Sequence, residues 1–383
     1  VLRRPIMGRR VKAVILAHDK FGPLTSKTGV CILRYSKEYQ TVAVIDRSKA
    51  GKSAEEFVGN VGKGVPIVAN LKDALKFKPD IIIIGIAPMG GGLPEAWRPE
   101  LRLALENKMR IISGLHFFMG DDPELSQLAA KNKVTIWDVR KPQRPNRIAT
   151  ADGANVKGLV VHTMGTDCNS GKMTTSVEIA REAQRRGINA AFAATGQTGI
   201  MIGCEAGSPI DRIISDFVAG AAEELLLECD KKGSDLTVVE GQGSLDHFAY
   251  SGVTLGLLHG CYPDLVVLCH QAGRQYLGEY ARDEEPPQKI PPLKWHIDLI
   301  EHITKPVYPT KVCAVSLATF TMNEADATKA IAQVEKETGL PTTDPVRFGP
   351  GKLLEAIAKA AATSKKPGAA NVARLVTLAA KAK

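Results

Sequence analysis

The sequence predicts an α/β protein built from two consecutive parallel-sheet domains. Three observations carry that prediction. Short apolar runs alternate with helix-like segments over most of the 383 residues, the pattern of repeated strand–helix–strand units. A polar stretch with two prolines, 141–157 (KPQRPNRIATADGANVK), interrupts this pattern and reads as a linker. Just after it, an apolar run leads into a glycine-rich loop and then a helix.

In the first domain, 1–140, strands are expected at 11–17, 41–46, 81–84, 110–113 and 134–138, with helices at 94–107 and 123–131. This alternation describes a Rossmann-like sheet. The stretch after the first strand, from His18 to Gly29, lacks G-x-G-x-x-G, which argues against a bound dinucleotide. Asp46 ends the second strand, where a ribose-binding acid would sit. Gly90-Gly91-Gly92, Gly114-Leu115-His116 and Asp121-Asp122-Pro123 follow strand ends, where open α/β sheets bind ligands. Asp122-Pro123-Glu124 reads equally well as a helix start.

The second domain, 158–360, opens with Leu159-Val160-Val161 and the loop Gly165-Thr166-Asp167-Cys168-Asn169-Ser170-Gly171-Lys172-Met173-Thr174-Thr175. A helix follows to about Arg186. Strands are expected at 190–195, 235–240, 264–270 and 312–317, and a helix carrying Asp211 and Asp216 runs to about Cys229. The glycine-interrupted run 253–258 is left unassigned. Residues 284–293 hold four prolines and read as a loop. The Ala/Lys-rich tail, 361–383, reads as a surface helix or a disordered segment.

The loop at 165–175 suits phosphate. Glycines let backbone N–H groups turn toward an anion, the following helix aims its positive end at the same point, and Lys172 adds a full charge. Thr174 or Thr175 would offer a hydroxyl to magnesium, with Glu240 at a strand end and Asp211 as further metal ligands. The loop departs from the common P-loop pattern in two ways. Five residues separate Gly165 from Gly171, and Met173 stands where a hydroxyl residue normally follows the lysine. Gln197, Thr198, Gln242, Ser244 and Arg274, on turns after the strands, are the candidate substrate-binding residues; Arg274 can meet a carboxylate bidentately. Lys172, Glu240, His247 and Asp246 are the candidate catalytic residues, with His247 titrating near neutral pH. None of the seven cysteines forms a C-x-x-C pair, and Cys168 is read as positioning the loop backbone.

The net charge of +9 comes without clustered aromatics, which make up 5% of the chain, so nucleic acid is not expected. No apolar run has the length of a membrane span, and the N-terminus lacks a signal-peptide core. A cytoplasmic, homo-oligomeric protein acting on a small molecule is expected.

GTDCNSGKMTT at 165–175, ATGQTGIM at 194–201, VVEGQGSL at 238–245 and GLHFFMGDDPEL at 114–125 resemble a two-domain family long described as of unknown function. That family pairs a Rossmann-like domain with a P-loop NTPase-like domain similar to dethiobiotin synthetase, and the likeness runs from about residue 11 to about residue 360. Some of its members are D-glutamate N-acetyltransferases using acetyl-CoA. The resemblance therefore implies acetyl transfer to an acidic amino acid. An ATP- and magnesium-dependent ligase or kinase-like enzyme of the dethiobiotin synthetase type is the alternative. A nucleotide-binding regulator without turnover is the third reading.

Overall fold

The computed structural model describes residues 10–23, 25–86, 88–278 and 288–381. The chain divides into two units, Val1–Gln143 with Gln197–Gly203, and Arg144–Gly196 with Cys204–Lys383.

The first unit holds β1 (Val11–Leu16), β2 (Tyr39–Ile45), β3 (Ile67–Val68), β4 (Ile81–Ile84), β5 (Arg110–Ser113) and β6 (Ile136–Asp138). They form one parallel sheet in the order β3-β2-β1-β4-β5-β6, the strand order of doubly wound nucleotide-binding folds. The central strand β4 is buried throughout: Ile81, Ile82, Ile83 and Ile84 are all in the core, as a continuous apolar run in a covered parallel sheet must be. Its helices are α1 (Lys27–Tyr35), α2 (Glu55–Val58), α3 (Leu71–Ala74), α4 (Arg98–Glu106) and α5 (Pro123–Asn132). The Rossmann-like expectation holds. The sequence reading missed β3, which has only two residues, and α1.

Two features of this unit that looked like ligand sites are satisfied by the backbone. The Asp46 carboxylate, fully buried, accepts N–H bonds from Asp19 (3.0 Å), Phe21 (2.9 Å) and Ser48 (3.0 Å). It thus pins the loop after β1. Asp122 caps α5 by accepting the Leu125 amide at 3.0 Å, with Pro123 in the first turn. The helix-start reading of that tripeptide is the one realised.

The second unit holds β7 (Leu159–Gly165), β8 (Ala190–Ala194), β9 (Ala206–Gly207), β10 (Leu236–Val239), β11 (Leu265–Gln271), β12 (Lys311–Ala318) and β13 (Thr342–Thr343). The sheet is parallel with order β13-β12-β11-β7-β10-β8-β9. Helix α6 (Lys172–Arg185) follows β7, and α7 (Gln197–Ile202) belongs to the first unit. The remaining helices are α8 (Val218–Lys231), α9 (Ser251–Cys261), α10 (Leu293–Thr304), α11 (Glu324–Thr338), α12 (Gly351–Ala361) and α13 (Pro367–Lys381). Among the described residues, no helix is long and apolar enough to cross a membrane.

Several expectations are corrected here. Residues 144–157, read as linker, lie in the second unit. Buried Glu223 of α8 collects them, accepting from the Thr150 amide (3.0 Å), the Gly153 amide (3.1 Å) and Arg147 Nη2 (3.2 Å). The unassigned run near 253–258 is α9. Its Gly256 and Gly260 let it approach α8: a β-carbon at Gly256 would lie 3.1 Å from Val218 Cβ, and one at Gly260 would overlap the Ala219 carbonyl. Glycine, which ordinarily weakens a helix, is here the contact residue. Asp211 and Asp216 sit in separate 3-10 turns before α8, not in one helix with it. The tail expected to lie outside the domain forms α13, which buries Ala369, Val372 and Val376. The proline-rich 284–293 falls partly outside the described residues.

Candidate active site

The loop at 165–175 is built by its two flanking elements. Strand β7 is buried at all seven positions and lies between β11 and β10 in the middle of the sheet. Helix α6 is moored beneath the loop by hydroxyls: Thr163 Oγ1 meets Ser176 Oγ at 2.9 Å, and Thr175 Oγ1 meets Ser316 Oγ on β12 at 2.7 Å. Between them the chain turns through positive φ at Asn169 (53°) and Gly171 (96°), the residue that precedes α6. Ser170 Oγ donates to the Asp167 carbonyl at 2.9 Å. Lys172 Nζ folds back onto the same carbonyl at 2.6 Å and lies 3.4 Å from Ser170 Oγ. A β-carbon at Gly165 would stand 2.7 Å from Lys172 Nζ and overlap Ser170 Oγ. The ring around the ammonium thus closes directly against Gly165. A buried ammonium, loop amides and the N-terminus of a 14-residue helix together make an anion cradle.

Asp167 organises the cradle. Its carboxylate is fully buried. Oδ2 accepts from Arg274 Nη1 (3.1 Å) and the Gly278 amide (2.9 Å); Oδ1 accepts from the Cys168 amide (2.6 Å) and lies 3.6 Å from His247 Nε2. Arg274, also buried, donates to the Cys168 carbonyl at 2.6 Å and to the Gln271 side chain. The two charges meet where water is excluded, so each depends on the other. On the far side of the loop, Thr166 Oγ1 lies 2.8 Å from His270 Nδ1. Burial, with the positive charges of Arg274 and His296 adding to it, pushes the His270 pKa down to about 4.

The loop after β10 faces this group. His247 Nδ1 accepts the Ala249 amide at 3.0 Å, which leaves the hydrogen on Nε2, facing Asp167. Asp246 pairs with His296 Nε2 at 3.3 Å. Burial pushes the Asp246 carboxyl up, but the bond and charge of His296, with the Ser244 hydroxyl, outweigh burial and hold it below the usual range. Glu240 Oε2 accepts the Thr195 (3.0 Å) and Gly196 (3.2 Å) amides, tying the end of β10 to the end of β8. Gln242 Nε2 reinforces that tie by donating to the Thr195 carbonyl at 2.6 Å. Gly241 is forced by proximity, since a β-carbon there would overlap the Thr163 carbonyl.

Two of the expected magnesium ligands already have protein partners. Met173, at the usual hydroxyl position, is buried. The Thr175 hydroxyl is held by Ser316, and Glu240 Oε2 by two amides. Among the described residues, one group of acid, thiol and imidazole side chains clusters closely enough to hold a metal: Asp167, Cys168 and His247, with ligand atoms within 4.8 Å of one another. Asp167 is already neutralised by Arg274, and His247 uses one ring nitrogen to accept an amide. That chemistry fits an anion cradle better than a cation.

Comparison with known proteins agrees with this architecture. The description "Domain of unknown function (DUF1611_C) P-loop domain" matches residues 147–354, and "Domain of unknown function (DUF1611_N) Rossmann-like domain" matches 47–142. The chain belongs to the DUF1611 family. A DUF1611 crystal structure from Anabaena variabilis superposes with a TM-score of 0.85 at 39% identity, covering 91% of this chain and 100% of that one. A D-glutamate N-acetyltransferase from Tritonibacter scottomollicae is 37% identical over 75% of this chain and 84% of its own. One from Pseudoalteromonas is 35% identical over 74% and 82%.

Within this DUF1611 chain the structure brings Lys172, Asp167, Cys168, Ser170, His247 and Arg274 together. It gives several of the residues read from the sequence a definite place. Arg274, expected at a substrate carboxylate, holds the loop aspartate. Asp246, expected as a base, is paired with His296. His247, expected as an acid/base, faces Asp167 with Nε2 3.6 Å from Oδ1. Asp211 sits in the 3-10 turn Ile210–Arg212. Gln197 and Thr198 are in the first unit, where the Thr198 hydroxyl lies 2.8 Å from that of Thr28 and Gln197 packs over Gly114. Sequence reasoning missed His270, His296 and Gly278, and it gave Asp167 no role apart from the rest of the loop. An aspartate in a loop ending in Gly-Lys, together with an arginine just past a strand end, was the available signal for the central pair.

Proposed function

We propose that this DUF1611 protein is an N-acetyltransferase moving acetyl from acetyl-CoA to an acidic amino acid such as D-glutamate. The observation that carries the reading is the cradle of Lys172, the 165–171 backbone and the α6 N-terminus, in a chain whose relatives are named D-glutamate N-acetyltransferase. Acetyl-CoA supplies a thioester and, in its pyrophosphate, an anion suited to such a cradle. Lys172 and the loop amides hold that anion. The Asp167–Arg274 pair and the mooring of α6 by Thr163 and Thr175 keep the cradle rigid, as positioning of the acceptor amine demands. The low pKa of His270 and the pairing of Asp246 keep these groups neutral and anionic, respectively, at neutral pH.

Calorimetric titration with acetyl-CoA and, separately, with Mg·ATP tests this. Acetyl-CoA binding that Lys172→Ala removes, followed by acetylation of glutamate, is expected. Magnesium-dependent ATP binding with acetyl-CoA silent would overturn the proposal and return the ligase reading.

A further inference from the structure

Two half-exposed aromatic rings stand at the edge of the anion cradle. Phe248 is 54% exposed and Tyr250 49%. They flank the buried His247, whose ring centroid lies 4.6 Å from that of Phe248 and 4.7 Å from that of Tyr250, with interplanar angles of 32° and 39°. His247 in turn places Nε2 3.6 Å from Asp167 Oδ1 on the phosphate loop. One imidazole separates the aromatic pair from that loop.

The pair is fixed in place by the turn after β10. The Ala249 amide, between the two aromatic residues, donates to His247 Nδ1 at 3.0 Å. Thr254 Oγ1 donates to the Tyr250 carbonyl at 3.1 Å and to the Gln242 carbonyl at 2.7 Å. Gly243, at a φ of 57°, lets the turn close against this position, since a β-carbon there would stand 2.9 Å from Tyr250 Cβ. Single exposed apolar residues are ordinary, but adjacent aromatic rings held in water beside a charged site point to an apolar contact. The phosphates belong in the cradle. An acidic amino acid carries charge at both ends and gains little from a ring face. What remains of an acyl-coenzyme A donor is its pantetheine arm, the uncharged chain between the pyrophosphate and the thioester. Aromatic side chains offer such a chain a large contact area.

We propose that Phe248 and Tyr250 are donor-specificity residues: they hold the uncharged pantetheine arm and so make the loop prefer an acyl thioester to a plain nucleotide. The inference rests on the acetyl-CoA reading and adds which residues select that donor. Dephospho-coenzyme A is ADP carrying pantetheine on its terminal phosphate, so comparing the two isolates the arm. In calorimetric titrations of the full chain, wild type is expected to bind dephospho-coenzyme A about tenfold tighter than ADP. Phe248→Ala and Tyr250→Ala should each weaken dephospho-coenzyme A about fivefold or more while leaving ADP and pyrophosphate within about twofold, which also shows the loop intact. Equal affinity of wild type for dephospho-coenzyme A and ADP, or unchanged dephospho-coenzyme A affinity in both variants, would overturn the arm assignment alone. So would a double variant that keeps this affinity but splits an oligomer in sedimentation, since the rings would then be a face between copies. Wild type that binds ADP and pyrophosphate but not acetyl-CoA would overturn the acetyltransferase reading and this proposal with it.

Discussion

Asp167→Asn is the perturbation that tests the site's architecture most directly. The substitution keeps the size of the side chain and removes its charge. In the native protein that charge is fully buried, faces the buried Arg274 at 3.1 Å, and accepts amides from Gly278 and Cys168. Once it is neutral, the guanidinium loses its Asp167 counter-charge, while the Cys168 carbonyl and the Gln271 side chain stay in reach. Leaving one member of a buried ion pair uncompensated costs about 3–5 kcal/mol. Arg274→Met should cost a similar amount for the mirror reason. The double variant should be less damaged than the sum, with a coupling energy of about 1–3 kcal/mol. Urea unfolding provides the total, and hydrogen exchange at the Cys168 and Gly278 amides locates the loss, because both donate to this carboxylate. Single variants within about 0.5 kcal/mol of wild type, or strictly additive ones, would refute the claim that this pair holds the loop.

Three other outcomes follow from the same geometry. Burial pushes the His162 pKa down to about 4, with the Lys172 charge adding and the Val239 carbonyl opposing. The unfolded chain binds the proton near pH 6.5, so this histidine contributes stability above that value, and it is lost as pH falls toward 4. The full term is roughly 3 kcal/mol, and His162→Gln should flatten the acid limb of an unfolding-versus-pH series. Gly241→Ala should cost about 1–3 kcal/mol or more, read as a lowered unfolding midpoint, because the new methyl group would overlap the Thr163 carbonyl and press on Lys172 Cδ at 3.1 Å. Iodoacetamide at neutral pH should label Cys168 first in a peptide map, with pyrophosphate slowing the reaction. Cys229, Cys261, Cys269 and Cys313 are buried, and burial raises their thiol pKa values.

The fold was legible because its signals are local. A parallel strand covered on both faces reads as an unbroken apolar run, and Ile81 to Ile84 or Leu159 to Val161 need no tertiary knowledge. Elements that escaped notice owe their state to partners. Strand β3 has two residues and exists by pairing with Val44 and Ile45. Helix α9 carries glycines that only its packing on α8 explains. Helix α13 looked like a solvated tail because its buried face is mostly alanine and valine.

The site divides in the same way. The phosphate loop announced itself through spacing, since glycines and a lysine before a helix are the parts an anion cradle needs. The roles of the charged residues around it did not. Asp167 and Arg274 are separated by 107 residues, Asp246 and His296 by 50, and Glu240 answers to amides 45 and 44 positions away. A carboxylate in a sequence looks the same whether it will meet a metal, a substrate or two backbone amides. What distinguishes these uses is which donors the sheet order delivers to it. In this sheet β11 lies against β7, so the residue just past β11, Arg274, reaches the loop that ends β7. Strand order thereby turned a predicted substrate-binding arginine into the counter-ion of the loop.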